Sequence, residues 1–250
     1  MGDNFISPVN VYRDLGFMVA SDLTWKVRVD SIAKKANRSL GYIKRTCGFK
    51  TPVQAKKLLY LTMVHSKLEV GVPVRSSHRK ENLMKIAGVQ RVATRFILRS
   101  DIGYRDRLSA CGLMPLSLRR EMLDLSFLFK CRQGFYSLDL SDFSSEYCPI
   151  RRTRRASKGP LHNLPSCKTE TFANSYFNRI VPLWNNLSIE LRQRSSVTIF
   201  KRLHKSHYLS LFKDQFTSSN TCSWITNCCC ANCRFNVAFA SSLLHNSSVA

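Results

Sequence analysis

Glycine and proline are scarce, 10 and 8 in 250 residues, which excludes a collagenous or low-complexity chain. Acid is scarce too: 16 Asp+Glu stand against 39 Lys+Arg, a formal charge of +23. No run of about 18 or more apolar residues occurs, so no helix is expected to span a bilayer. Asp3, Arg13 and Asp14 interrupt any apolar stretch that a secretory leader would need. Ile6 stands where a myristoylation signal takes Ser or Thr. The expected location is therefore nuclear and/or cytoplasmic, not secreted, and the 10 Cys are expected to stay reduced. Much catalytic equipment is also missing. There is no adjacent Asp-Asp pair or pair of acids flanked by strands to hold two magnesium ions. There is no glycine-rich phosphate loop and no His-Glu-x-x-His. On its own, the chain is expected not to be an enzyme.

What is present fits a folded, basic, helical protein. Hydrophobic residues make up 44% of the chain, with 15 Phe and 3 Trp, too many for a disordered basic tail. The length suits one or two domains. Residues 101–150 carry six Lys+Arg against seven Asp+Glu, while both flanks are strongly basic. Such a surplus repels itself until a polyanion neutralises it, so the backbone of RNA and/or DNA is the first partner to expect. A membrane is not, because surface binding needs a broad apolar face opposite a lysine-rich one, and the helices here read as core elements.

Residues 9–20 mix β-branched and aromatic side chains around Asp14 and Gly16, the pattern of a strand or hairpin. From Trp25 to about Arg45, Val29, Ile32, Ala33, Ala36, Leu40 and Ile43 recur at helical spacing, with Lys34, Lys35, Arg38, Lys44 and Arg45 off the stripe. Thr51-Pro52 opens a second helix. Its stripe is Leu58, Leu61, Val64 and Leu68, and Gly71 and Pro73 end it. A third helix runs from about Arg79 to Arg99 with Leu83, Ile86, Ala93 and Ile97 inward. Tyr104–Cys111 is a short helical piece closed by Gly112. Pro115 starts a fourth long helix, to about Gln133, with Leu118, Met122, Leu125 and Phe129 inward. Residues 137–171 have no period and read as a basic linker. Helical spacing resumes at Phe172, Tyr176, Phe177 and Ile180. Ser195 or Ser196 caps a last helix through Phe200, Leu203 and Leu211. The expected fold is mainly α, a helical bundle with a short N-terminal β-hairpin and an irregular cysteine-rich tail. The expected divisions are 1–22, 23–136, 137–171, 172–212 and 213–250.

Three constellations carry chemistry. Arg91, Arg95 and Arg99, at i, i+4 and i+8, place three guanidinium groups along one helix face. Like charges at that spacing weaken an isolated helix, and phosphates opposite them would relieve it; a solvated face is the other reading. Lys34, Arg38 and Arg45 add to the cations expected on a nucleic-acid backbone. Arg151, Arg152, Arg154 and Arg155, with Lys158, form a second run that suits a backbone or a nuclear-localisation patch. Third, Cys222, Cys228, Cys230 and Cys233 offer four sulfurs in twelve residues, a set that could hold zinc, with Cys229 as a spare. The spacing matches no common zinc pattern, and free thiols are the alternative. His204 and His207 lie one turn apart with no third ligand in view and read as surface residues.

Several strings form an ordered series: Tyr12-Arg13-Asp14-Leu15-Gly16, Asp22-Leu23-Thr24-Trp25, Ala33–Gly41, Lys67-Leu68-Glu69, Val89-Gln90-Arg91, Tyr104–Leu108, Leu116-x-Leu118-Arg119-Arg120, Asp124-Leu125, and Val181-Pro182-Leu183-Trp184-Asn185-x-Leu187 followed by Phe200-Lys201. Over residues 10–212 this series resembles the region C-terminal to the palm in reverse transcriptases of non-LTR retrotransposons, of the jockey-like and chicken-repeat-like kind. The cysteine tail is similar to the ending of some such elements. The resemblance implies a fragment of an RNA-directed DNA polymerase: a helical thumb, with residues 1–22 as a remnant palm-side hairpin. The magnesium-dependent palm, the fingers and the endonuclease would then lie outside this chain. It implies at most template-primer binding here. Arg28, Arg75, Ala87 and Ser188 depart from the family pattern, and Arg75, where the family usually has Trp, predicts a cavity or a poorly placed charge. Such departures are what a decayed, non-functional copy would carry. A stand-alone nucleic-acid-binding module with a zinc-bound tail is the alternative class.

Overall fold

A computed structural model describes residues 9–74, 79–147, 161–163 and 166–217, apart from the side chains of Asp142, Tyr147 and 211–217. The chain opens with a hairpin of β1 (Val11–Asp14) and β2 (Phe17–Ala20), paired antiparallel with Asp14 opposite Phe17. Leu15 and Gly16 form its two-residue loop, both at positive φ (43° and 82°), the geometry that matches strand twist in a tight hairpin. A lone hairpin is marginal in water, and this one is held from outside. The Arg28 guanidinium donates to the Gly16 carbonyl and lies 4.4 Å over the Phe17 ring. Gly71, at φ 69°, sits so close beneath Phe17 that a Cβ there would overlap the ring.

Helix α1 (Lys26–Thr46) buries the stripe expected from its spacing: Val29, Ile32, Ala33, Ala36, Leu40 and Ile43. The second helix departs from its expected course. It comprises α2 (Val53–Tyr60), a π-helical turn (Leu61–His65) and α3 (Ser66–Glu69). Leu58 is 62% exposed, and the buried column is Lys56, Tyr60, Val64 and Leu68. Residues four apart drift by about 40° per step on a straight α-helix. A π turn takes up the extra residue and keeps all four on one side.

Helix α4 (Lys80–Leu98) packs on α1. Contacts at both ends, Lys85 Nζ to Asp30 at 2.6 Å and Lys44 near Phe96, make the pair parallel. Helices α5 (Tyr104–Cys111) and α6 (Leu116–Arg132) follow. Buried Gln90 organises this junction. It donates to Met114 O and accepts from the Tyr104 hydroxyl (both 2.9 Å) and from Leu116 N–H (3.2 Å), one of the donors a helix start leaves without an intrahelical partner.

Helix α6 is the shared wall. On its far side lie α8 (Tyr176–Asn186), α9 (Ile189–Arg192) and α10 (Val197–Thr217), preceded by the single turn α7 (Glu170–Ala173). Phe129 stacks on Phe200 at 4.1 Å, with Trp184 against both. One hydrophobic core therefore runs from Val29 to Tyr208, and Ile180, Leu183, Trp184, Leu187, Leu191, Phe200 and Tyr208 belong to it. Within 137–171, where no period is visible, a 3₁₀ turn (Leu140–Asp142) precedes β3 (Glu146–Tyr147), which pairs with β4 (Leu161–His162). Asn185 holds β4 through its side chain, accepting from His162 N–H and donating to His162 O at 3.0 and 2.9 Å. Among the described residues, no helix is long and apolar enough to cross a membrane.

Candidate nucleic-acid interface

Lys34, Arg38 and Arg45 are exposed on α1. Their spacing puts them within about 40° of one another and nearly opposite the buried stripe. They belong to a longer acid-free stretch. Between Asp30 and Glu69 the chain has nine Lys+Arg and no Asp or Glu. That run was legible in the sequence, and it marks α1, its following turn and α2 as one cationic unit.

The arginine row on α4 is engaged residue by residue. An i, i+4, i+8 row drifts by about 80° around a helix, and the neighbours differ along it. Arg91 is half-buried with its guanidinium 5.2 Å from the Tyr104 ring. Arg95 is exposed and meets Asp101 at 3.5 Å. Arg99 ends the helix in a left-handed conformation, φ 50°, ψ 39°, where glycine is usual and another side chain costs of order 1–3 kcal/mol. Its guanidinium lies 4.4 Å over the ring of Phe49, a residue not singled out from spacing.

The C-terminal ends of α1 and α4 meet at Phe96, which carries the ammonium groups of Lys44 (6.0 Å) and Lys56 (5.6 Å) on its ring. Lys56 is buried to its ammonium, 2% exposed, so its charge lies beneath the surface against Phe96 rather than on the outer face. Among the described residues, Lys34, Arg38, Lys44, Arg45, Lys56 and Arg99 form no ion pair with a carboxylate. The arrangement offers cations on an outer helix face with aromatic rings among them at one end, which suits phosphates spaced along a backbone.

Many residues of the ordered motif series serve as internal ties. Glu69 pairs with Arg119, Gln90 holds the α5–α6 junction, and Asp124 pairs with Arg179 at 2.9 Å. Arg107 is buried, donates to Ile102 O, and has its pKa lowered by burial and by nearby Arg95. Arg28 is the residue that anchors the hairpin.

Ser144, His162 and Arg132 also form a grouping. Ser144 Oγ lies 3.0 Å from His162 Nδ1. Arg132 NH1 sits 2.6 Å from Nε2 and can only donate to it. With Nε2 accepting from Arg132, Nδ1 carries the proton and donates to the serine. Burial and the Arg132 charge both lower the His162 pKa.

His204 is not the surface residue expected. It is fully buried between Phe200 and Tyr208, neither ring nitrogen is hydrogen-bonded, and burial lowers its pKa to about 3. Its place on the apolar stripe of α10, four residues after Phe200, was the available signal. The run of Arg151, Arg152, Arg154 and Arg155, the departure Arg75, and the zinc candidates Cys222, Cys228, Cys230 and Cys233 lie outside the described residues. Among the described residues, no three His, Cys, Asp or Glu side chains gather in a metal-holding group. No family model, no curated protein and no solved structure matches the chain.

Proposed function

We propose that the chain binds the backbone of RNA or DNA through the outer faces of α1 and α4, without catalysing a reaction itself. In this reading it is a helical clamp of the kind that non-LTR reverse transcriptases carry behind the palm. The observation that supports it best is the acid-free stretch between Asp30 and Glu69, folded so that Lys34, Arg38 and Arg45 stand opposite the core and Lys44 and Lys56 meet α4. Binding of this kind is sequence-tolerant, and each phosphate neutralised contributes about −0.9 to the slope of log K against log salt.

Fluorescence anisotropy with unrelated RNA and DNA sequences across a salt series tests the proposal. Affinity is expected to fall steeply with salt and to change little with sequence. Arg38→Ala with Arg45→Ala is expected to flatten the slope by about 1 per lost contact. A binding curve unchanged between low and physiological salt overturns the proposal.

A further inference from the structure

The turn after α1 carries an aromatic ring that the core does not use. Gly48 O accepts from Thr51 N–H at 3.3 Å, so Phe49 and Lys50 occupy the tip of a tight turn. Phe49 is 84% exposed. One side of its ring carries the Arg99 guanidinium at 4.4 Å, and the rest stands open. Arg99 lies one helical turn beyond Phe96, the ring that carries Lys44 and Lys56. Lys50 is exposed beside the ring, and among the described residues neither Lys50 nor Arg99 pairs with a carboxylate.

We infer that Phe49, backed by Arg99, is a stacking platform for an unpaired base, and that the surface of α1, the turn and α4 therefore takes a single strand in preference to a duplex. The inference rests on the backbone-binding reading and adds the class of nucleic acid. Its logic is chemical. A duplex offers phosphates but hides the faces of its bases, so it can use the cations and not the ring. An unpaired strand offers both. Each base has a π-face, so a ring flanked by cations takes any base without reading sequence. A guanidinium on the far side of the ring holds it in place and keeps a positive charge within reach of the next phosphate.

The test compares oligo(dT) of about 16 nucleotides, near the upper end of single-strand site sizes, with a duplex of the same length. Anisotropy is measured across a salt series on the wild-type chain, Phe49→Ala and Phe49→Trp. Because Phe49 lies outside the core, both variants are expected to keep the wild-type circular dichroism. Phe49→Ala is expected to weaken single-strand binding roughly tenfold. Duplex binding and both salt slopes should stay as in the wild type. Phe49→Trp is expected to keep single-strand affinity, and its indole emission should be quenched when the strand is added.

Unchanged single-strand affinity in Phe49→Ala, with the salt slope intact, overturns the platform and leaves backbone binding standing. Equal losses on strand and duplex overturn it too. Salt-independent binding of both, or no binding of either, removes the backbone reading and this one with it. Poly-glutamate that binds as tightly as oligo(dT), with the same loss in Phe49→Ala, would assign the ring to an acidic polypeptide instead.

Discussion

Buried polar side chains do most of the positioning at the scale of single residues. Gln90 is wholly buried and serves three groups, on α5, on α6 and on the turn between them. Gln90→Ala would take this partner from the buried Met114 carbonyl and Leu116 amide, and we expect a loss of about 2–3 kcal/mol in urea unfolding. Glu121 has a different consequence. It is buried on α6, accepts from Tyr208 at 3.2 Å, and has its pKa pushed up to about 8, chiefly by burial. The folded chain therefore holds a proton that the unfolded chain releases from about 4.5 upward. Stability from this group is full below that value, falls as pH rises, and is gone by about 8. Between about pH 6.5 and 8, wild-type stability should drop by up to about 1.4 kcal/mol per pH unit. Glu121→Gln should remove that drop, as urea midpoints at the two pH values would show. The sequence did not disclose these roles: spacing places Gln90 and Glu121 on helices, but their partners lie 14 to 87 residues away.

At the scale of elements, the helices with a steady apolar stripe were legible. The bounds expected for α1, α4, α5 and α6 fall within a few residues of those found, because their burial follows 3.6-residue spacing. The second helix was misread from Leu58 because a π turn changes the spacing midway. The β3–β4 pair was missed because it is two residues long and held by Asn185 from a distant helix. The hairpin was read correctly, and its anchor was not. Gly71 combines a left-handed φ with direct contact beneath Phe17. Gly71→Ala should destabilise the chain by about 1–3 kcal/mol. Amide exchange in β1 and β2 should rise more than in α6, because the hairpin loses its seat first.

For the molecule as a whole, the charge surplus was plain in the sequence and its placement only partly so. A net charge of +23 opposes compaction. A polyanion bound to the folded surface should raise the unfolding temperature in proportion to its affinity. Heparin is therefore expected to raise the Tm by several degrees, and sodium chloride at matched ionic strength by less. Equal shifts would mean that general screening accounts for the effect. Lys34, Arg38 and Arg45 could be placed from the period of α1, whereas Phe49 could not, since a lone aromatic in a turn has no period to mark it.

The parallel run of α1 and α4 has a consequence in the peptide dipoles. Both helices end near Phe96, and each C-terminus carries roughly half a negative charge. Antiparallel neighbours would offset one another; these two ends repel. Lys44 and Arg45 in the last turn of α1, and Arg95 in that of α4, stand where they neutralise both. The backbone thus fixes cations at this spot before any ligand arrives. Acetylation of Lys44 would then do two things at once: take one charge from the proposed backbone contact, and leave two negative helix ends side by side with less to offset them.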